Sequence, residues 1–112
     1  MGNASRQTGD QVIERVERER AQKDARKTKE PDRHQVVLLN DDYTTMEFVM
    51  DVLESIFHKS PAEAYRIMLL VHTQGRGICG VYTWEIAETK AESVQAMAQQ
   101  AGFPLRAVVE EV

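Results

Sequence analysis

Three polar side chains that could hold a positively charged or proton-donating group stand together in the stretch LLNDDYTTMEF, residues 38–48. Asn40 offers an amide oxygen, and Asp41 and Asp42 each offer a carboxylate. A neutral imidazole at His72 could add a ring nitrogen as a further acceptor. These residue types suit three kinds of guest: a metal ion, a substrate undergoing acid–base chemistry, or an ammonium group.

The residues around this stretch predict a strand, a turn and a helix. The segment 34–40, HQVVLLN, is rich in β-branched and apolar residues, which is typical of a mostly buried strand. Aspartate side chains readily bond nearby backbone amides, so DDYT should turn the chain. Thr44 and Glu47 have the spacing of a capping box, which predicts that a helix begins after Thr44.

Two more helices and two more strands complete the predicted domain. Ser60, followed by Pro61, should start a second helix, which Gly75 ends. The remaining predicted elements are a strand over 77–83, a helix over 84–101 that Thr83 caps, and a strand over 105–111. The order βααβαβ implies an α+β domain in which a three-stranded antiparallel sheet packs against three helices.

Helical spacing places Met68, Val71 and His72 on one face of the second helix. If the first strand ends beside the C-terminal end of that helix, the polar side chains lie at the mouth of an apolar pocket. We expect the walls of this pocket to be formed by Met46, Val49, Met68 and Val71.

Such a pocket suits a free peptide N-terminus with a bulky apolar first side chain. An α-amino group has a pKa of about 7.7–8.0, so it is largely an ammonium at neutral pH. Its three N–H donors could be accepted by Asn40, Asp41 and neutral His72.

Other interpretations of the same residues stay open at this point. Asp41 and Asp42 could simply form the turn, and His72 could simply favour the C-terminal end of a helix dipole. Asp41, Asp42 and His72 together could also belong to the site of a metal-dependent hydrolase. An interaction module of the stalk-protein type would have the same order of elements.

Two motifs, NDDYTTMEFV and HTQGRGICGVYTWEIAETK, closely resemble the ClpS family, the bacterial N-end-rule adaptors of the Clp AAA+ protease. The likeness covers roughly Gln35 to Glu110. It implies a non-enzymatic adaptor without a metal or cofactor. Such an adaptor captures substrates whose first residue is Leu, Phe, Tyr or Trp and delivers them to the N-terminal domain of a ClpA-type unfoldase.

The resemblance also implies roles for particular residues. Asn40, Asp41 and His72 would bind the substrate's α-amino group, with Asp42 at the rim. Glu85 and Lys90 would dock the unfoldase. The residues implied to line the hydrophobic pocket are Thr44, Met46, Val49, Met68, Val71 and Leu105.

One residue departs from the family pattern. The family often has proline where this chain has Thr45, and we expect proline there to be the first residue of the helix. Its loss should cost roughly 0.4–1 kcal/mol through chain entropy, and could loosen the pocket around Met46.

Charge and composition limit the other possibilities. The net charge of −4 gives no general case for nucleic-acid binding. Residues 1–34 hold nine Lys/Arg and seven Asp/Glu with few apolar residues, so we expect a flexible extension, which the resemblance also implies. Residues 35–112 hold five Lys/Arg and eleven Asp/Glu. We expect them to form the adaptor core domain, and we expect the protein to be a monomer. One cysteine, Cys79, and no apolar run near the ~20 residues of a membrane span favour a cytoplasmic protein.

Overall fold

The structure, a computed structural model, describes residues 12–16, 18 and 32–112. Residues 12–16 and 18 are helical and their side chains are exposed. Most of the predicted flexible extension, residues 1–34, lies outside the described residues. The predicted boundary between extension and core therefore stays a prediction.

Residues 32–112 contain six elements in the order βααβαβ, which confirms the predicted α+β class. The elements are β1 (His34–Leu39), α1 (Met46–Ser55), α2 (Pro61–Gln74), β2 (Arg76–Tyr82), α3 (Trp84–Ala101) and β3 (Arg106–Glu111). None of the helices in the described part of the chain combines the length and the hydropathy needed to cross a bilayer.

The three strands form one antiparallel sheet in the order β2-β1-β3, with β1 in the middle. Val36 and Leu38 of β1 face the helices and are fully buried in the main core. The pairing with β2 shifts between Val36 and Val37, so β2 bulges at Cys79. Cys79 is itself a buried free thiol.

The ends of α2 follow the predicted signals. The Ser60 hydroxyl accepts a hydrogen bond from the amide of Glu63 at 3.2 Å, and Pro61 occupies the first turn. Gly75 ends the helix in the left-handed conformation with φ 86°, which favours glycine because a side chain there is strained. Its turn leads directly into β2.

The predicted start of α1 is wrong by one residue. The N-cap is Thr45, whose hydroxyl accepts from the amide of Phe48 at 3.1 Å. Thr44 belongs to the preceding turn, where its amide and its hydroxyl both donate to Asp41. Thr83 does occupy the N-cap of α3, although its side chain makes no capping hydrogen bond.

The helix α3 packs through small residues. Its buried stripe consists of Ala87, Ala91, Val94 and Ala98. These short side chains let the helix lie close to the sheet.

Candidate functional site

A cavity of about 450 Å³ opens where the end of β1, the start of α1 and the last turns of α2 meet. Its lining is Asn40, Asp41, Asp42, Tyr43, Thr44, Thr45, Met46, Val49, Met68, Val71 and His72. Nine of the predicted site residues are therefore brought together, from two separate parts of the sequence.

One backbone hydrogen bond joins these two parts. The amide of Asn40, directly after β1, donates to the carbonyl of Gly75, directly after α2, at 2.9 Å. The expected proximity of the first strand's end and the second helix's end is thereby confirmed. Because β2 begins directly after Gly75, the hydrogen bond between Asn40 and Gly75 holds the mouth of the cavity next to the sheet.

Asp41 closes the turn that carries the polar side chains. Its Oδ1 accepts from the amides of Tyr43 at 2.8 Å and Thr44 at 2.7 Å. Its Oδ2 accepts from the Thr44 hydroxyl at 2.7 Å. Asp41 is thus a turn-forming residue, and Oδ2 keeps a lone pair for a further donor.

The same hydrogen bonds set the charge of this carboxyl group. Partial burial raises the pKa of Asp41, but the bonds from the Thr44 hydroxyl and the two amides outweigh it and hold the pKa below the ordinary value. Asp41 is therefore a carboxylate at neutral pH. Asp42 adds a second acidic side chain, and the lining includes no Lys or Arg.

Deeper in the cavity the lining is apolar. Val49, Met68 and Val71 are at most 6% exposed and belong to the main core. Met46, at the first position of α1, also lines the cavity and is 47% exposed, so it is far more open to solvent than these three residues. Methionine is flexible enough to adapt to different apolar guests.

His72 lies in the last turn of α2 and is exposed at the opposite edge of the mouth. Within the described residues neither its ring nor the Asn40 amide makes a side-chain hydrogen bond. The site therefore combines an apolar interior with acceptors at its rim. That arrangement can hold an ammonium group whose carrier buries an apolar side chain.

Thr45 supports this site through the helix start. Because Thr45 is the N-cap, a proline at this position would sit at the cap rather than inside the helix, so the expected position for proline is wrong. Replacing Thr45 by alanine should lower the free energy of unfolding by about 1 kcal/mol, since the Phe48 amide loses its acceptor. Urea unfolding would measure this loss, and Thr45→Ser should retain most of the stability.

Three residues with expected roles lie away from the cavity. Leu105 is buried just before β3 and does not line the cavity. Glu85 is exposed in the first turn of α3. Lys90 is half-buried, and its Nζ donates to the carbonyl of Ile56 at the end of α1 at 2.8 Å.

Lys90 consequently has a structural role that no local sequence pattern indicates. Its ammonium lies 5.3 Å from the ring centroid of Tyr82 and 5.8 Å from that of Phe57. A cation at the C-terminal end of α1 is favoured by the helix dipole, and the two rings add cation–π attraction. Lys90 thus ties α3 to the end of α1.

Two lining residues were absent from the predicted site. Tyr43 is 78% exposed at the rim, and Thr45 contributes beside it. Both residues lie inside the motif NDDYTTMEFV, from which the site was predicted. The aromatic residue next to the two acids was the feature of this motif that could have indicated Tyr43. Across residues 12–16, 18 and 32–112, no group of three or more His, Cys, Asp or Glu could hold a metal ion.

Comparison with known proteins identifies the family that this chain matches. Residues 29–108 match the family model of the ATP-dependent Clp protease adaptor protein ClpS. The adapter protein ClpS of Wolinella succinogenes is 55% identical over 82 residues, which are 73% of this chain and 80% of that protein. The ClpS of Paraburkholderia xenovorans is 50% identical over 100 residues, 89% of this chain and 88% of that protein.

A solved structure is similar in fold. The structure of Agrobacterium tumefaciens ClpS2 bound to L-phenylalaninamide has a TM-score of 0.71 and 40% sequence identity. The match covers 73% of this chain and 99% of that chain. The likeness therefore covers that protein's whole chain and leaves about a quarter of this one unmatched.

Proposed function

Because this chain belongs to the ClpS family of adaptor proteins of the ATP-dependent Clp protease, we propose that it binds the free N-terminus of protein substrates with a bulky hydrophobic first residue. The observation that carries the proposal is the cavity itself. It has an ionised Asp41 at its mouth, no Lys or Arg in its lining, and an apolar interior.

Each part of a peptide N-terminus has a complement in this cavity. The ammonium group donates to the free lone pair of Asp41 Oδ2, to the Asn40 amide oxygen and to a ring nitrogen of His72. The first side chain enters between Val49, Met68 and Val71, displacing water from apolar surface. Burial of a Leu or Phe side chain contributes about 1.5–3 kcal/mol.

The bound molecule in the related structure supports this assignment. L-phenylalaninamide, bound to Agrobacterium tumefaciens ClpS2, has a free α-amino group and an amide in place of its carboxylate. It therefore imitates the first residue of a chain. In our proposal this protein binds Leu, Phe, Tyr and Trp N-termini, performs no catalysis itself, and acts as a monomer that delivers them to a ClpA-type unfoldase.

A peptide panel that differs only at residue one tests the proposal. Peptides beginning with Leu, Phe, Tyr or Trp should bind at least about tenfold more tightly than those beginning with Ser, Lys or Glu, because only the former fill the apolar interior. Isothermal titration calorimetry would measure this. Equal affinities across the panel would contradict the proposal, and a metal titration by the same method would test the metal-dependent alternative.

Docking to the unfoldase is proposed to use Glu85. Replacing Glu85 by lysine should weaken binding of the unfoldase's N-terminal domain severalfold and spare peptide binding, because this exposed side chain lies outside the cavity. The matched control is Asp51→Lys, which makes the same charge change on an exposed residue of α1. An undiminished pull-down by the Glu85 variant would reject this surface.

Lys90 needs a different test of its expected docking role. Reversing its charge would place a carboxylate against the Ile56 carbonyl and remove the contacts with two rings. Any loss of docking would then be mixed with a loss of stability. Glu85 is therefore the cleaner test.

A further inference from the structure

A second groove lies between α2 and the edge strand β2, and we call it the basic groove. Its lining is Lys59, Arg66, Ile67, Leu70, Arg76, Gly77, Ile78, Cys79 and Gly80, around a volume of about 480 Å³. It shares no lining residue with the cavity that holds the predicted site. The two sites lie on different faces of α2.

The charge of this groove is opposite to that of the domain around it. Residues 35–112 hold five Lys/Arg and eleven Asp/Glu. Three of those five cations line the groove, and none of the eleven acids does. The clustering of cations in an acidic domain points to a negatively charged guest.

Arg66 is held in place at the rim of the groove by a two-bond pair with Glu63, at 2.9 and 3.1 Å. Arg76 pairs with Glu110 of β3 on the face of the sheet away from α2, because the next residue, Gly77, faces α2. The arginine side chains are 59% and 48% exposed, so these are surface pairs whose stabilisation is small. Their remaining N–H groups can turn to an incoming carboxylate.

The floor of the groove is neutral and apolar. Ile67 is fully buried and Leu70 is 37% exposed on the side of α2, whereas Ile78 is 47% exposed, pairs with Val37 and faces the other side of the sheet. Burial raises the pKa of the Cys79 thiol to about 12, so no thiolate adds negative charge. The strand lies very close to α2 here, since a Cβ on Gly77 would meet Val71 at 2.8 Å.

The strand that forms one side of the groove has a free edge. In the sheet order β2-β1-β3, β2 pairs with β1 alone among the described strands. Its outer row of backbone N–H and C=O groups is therefore open to a further strand. The bulge at Cys79 divides this edge into two regular parts, Arg76–Ile78 and Gly80–Tyr82, and all three residues of the first part line the groove.

We propose that the basic groove binds an extended acidic segment of a partner protein, which lies along β2 from Arg76 to Ile78. Backbone hydrogen bonds to the strand edge would align the segment. Its carboxylates would meet Lys59 and Arg66 on the side of α2, and the intervening apolar side chains, which face the other side of the sheet, would rest on Ile78. A second copy of this chain docked groove to groove would set Lys59 and Arg66 of one copy against the same residues of the other.

The test uses a peptide that cannot occupy the N-terminus cavity. The probe is the N-acetylated, C-amidated peptide Glu-Val-Glu-Ala-Glu-Val-Glu, titrated into the ¹⁵N-labelled full chain. We expect amide shifts at 76–80 and in the groove-facing part of α2, with affinity that falls as salt is added. The same peptide with Lys in place of Glu should cause none.

Variants separate the groove from general charge. Lys59→Gln combined with Arg66→Gln should weaken the probe at least about tenfold, whereas Arg106→Gln, an exposed arginine on β3 outside the groove, should change affinity less than twofold. Both variants should still bind a peptide with a free N-terminal Leu as the parent does.

Three results would overturn the inference. The first is an absence of groove shifts at millimolar probe, and the second is equal binding of the Glu and Lys peptides. The third is concentration-dependent sedimentation that the two groove substitutions abolish, because the groove's occupant would then be a second copy. None of these outcomes depends on whether the N-terminus cavity binds its proposed ligand.

Discussion

An N-acetylated peptide that begins with leucine should bind at least about tenfold more weakly than the same peptide with a free amino group. Acetylation removes the positive charge and two N–H donors while leaving the apolar side chain unchanged. Hydrogen bonds to charged groups contribute about 1.5–3 kcal/mol each, so losing even one accounts for the tenfold change. Fluorescence anisotropy of the two labelled peptides measures the difference directly.

The binding of the free-amino peptide should also depend on pH in a way that identifies the partners. On the alkaline side it should weaken above about pH 7.7–8.0, where an α-amino group loses its charge. A His72→Gln variant should keep this alkaline limb, because the group that loses its charge belongs to the peptide.

Asp41 does not cause this pH dependence. Its pKa is held below the ordinary aspartate value, so it stays ionised throughout the range in which the peptide's amino group titrates. The stability it contributes is present above the ordinary value and is lost only as pH falls through the lowered one. Equal affinity for the acetylated and free peptides would mean that the polar rim holds something other than an N-terminus.

Replacing Asp41 by asparagine should separate its two roles. The asparagine Oδ1 can still accept from the amides of Tyr43 and Thr44, so the turn should form. The negative charge is lost, and affinity for a Leu peptide should fall at least about tenfold. Calorimetry with the peptide and thermal unfolding of the free protein would report the two effects independently.

Two further variants make this result specific. Asp41→Ala should lose the same affinity and also about 1 kcal/mol or more of stability, because three hydrogen bonds disappear. Asp51→Asn, the same charge change on an exposed residue of α1, should alter neither property. If Asp41→Asn bound the peptide as well as the parent, Asp41 would be a turn-forming residue alone.

The order of elements could be predicted from the sequence because local signals determined it. Ser60 with Pro61 and the left-handed Gly75 mark the ends of α2 through bonds that span only a few residues. The small-residue stripe of α3 repeats with helical period. The same local signals misplaced the cap of α1, because Thr44 and Thr45 are both capable caps and only the bonds from Thr44 to Asp41 decide between them.

The polar residues of the cavity could be found from the sequence because one motif contains most of them. Their proximity to His72 could only be assumed from the sequence. It depends on the backbone hydrogen bond between Asn40 and Gly75, which joins residues far apart in the chain. Contacts of that kind follow from how the sheet and helices pack and leave no local pattern. For the same reason only the tertiary structure revealed Lys90 at the end of α1 and the cations gathered beside β2.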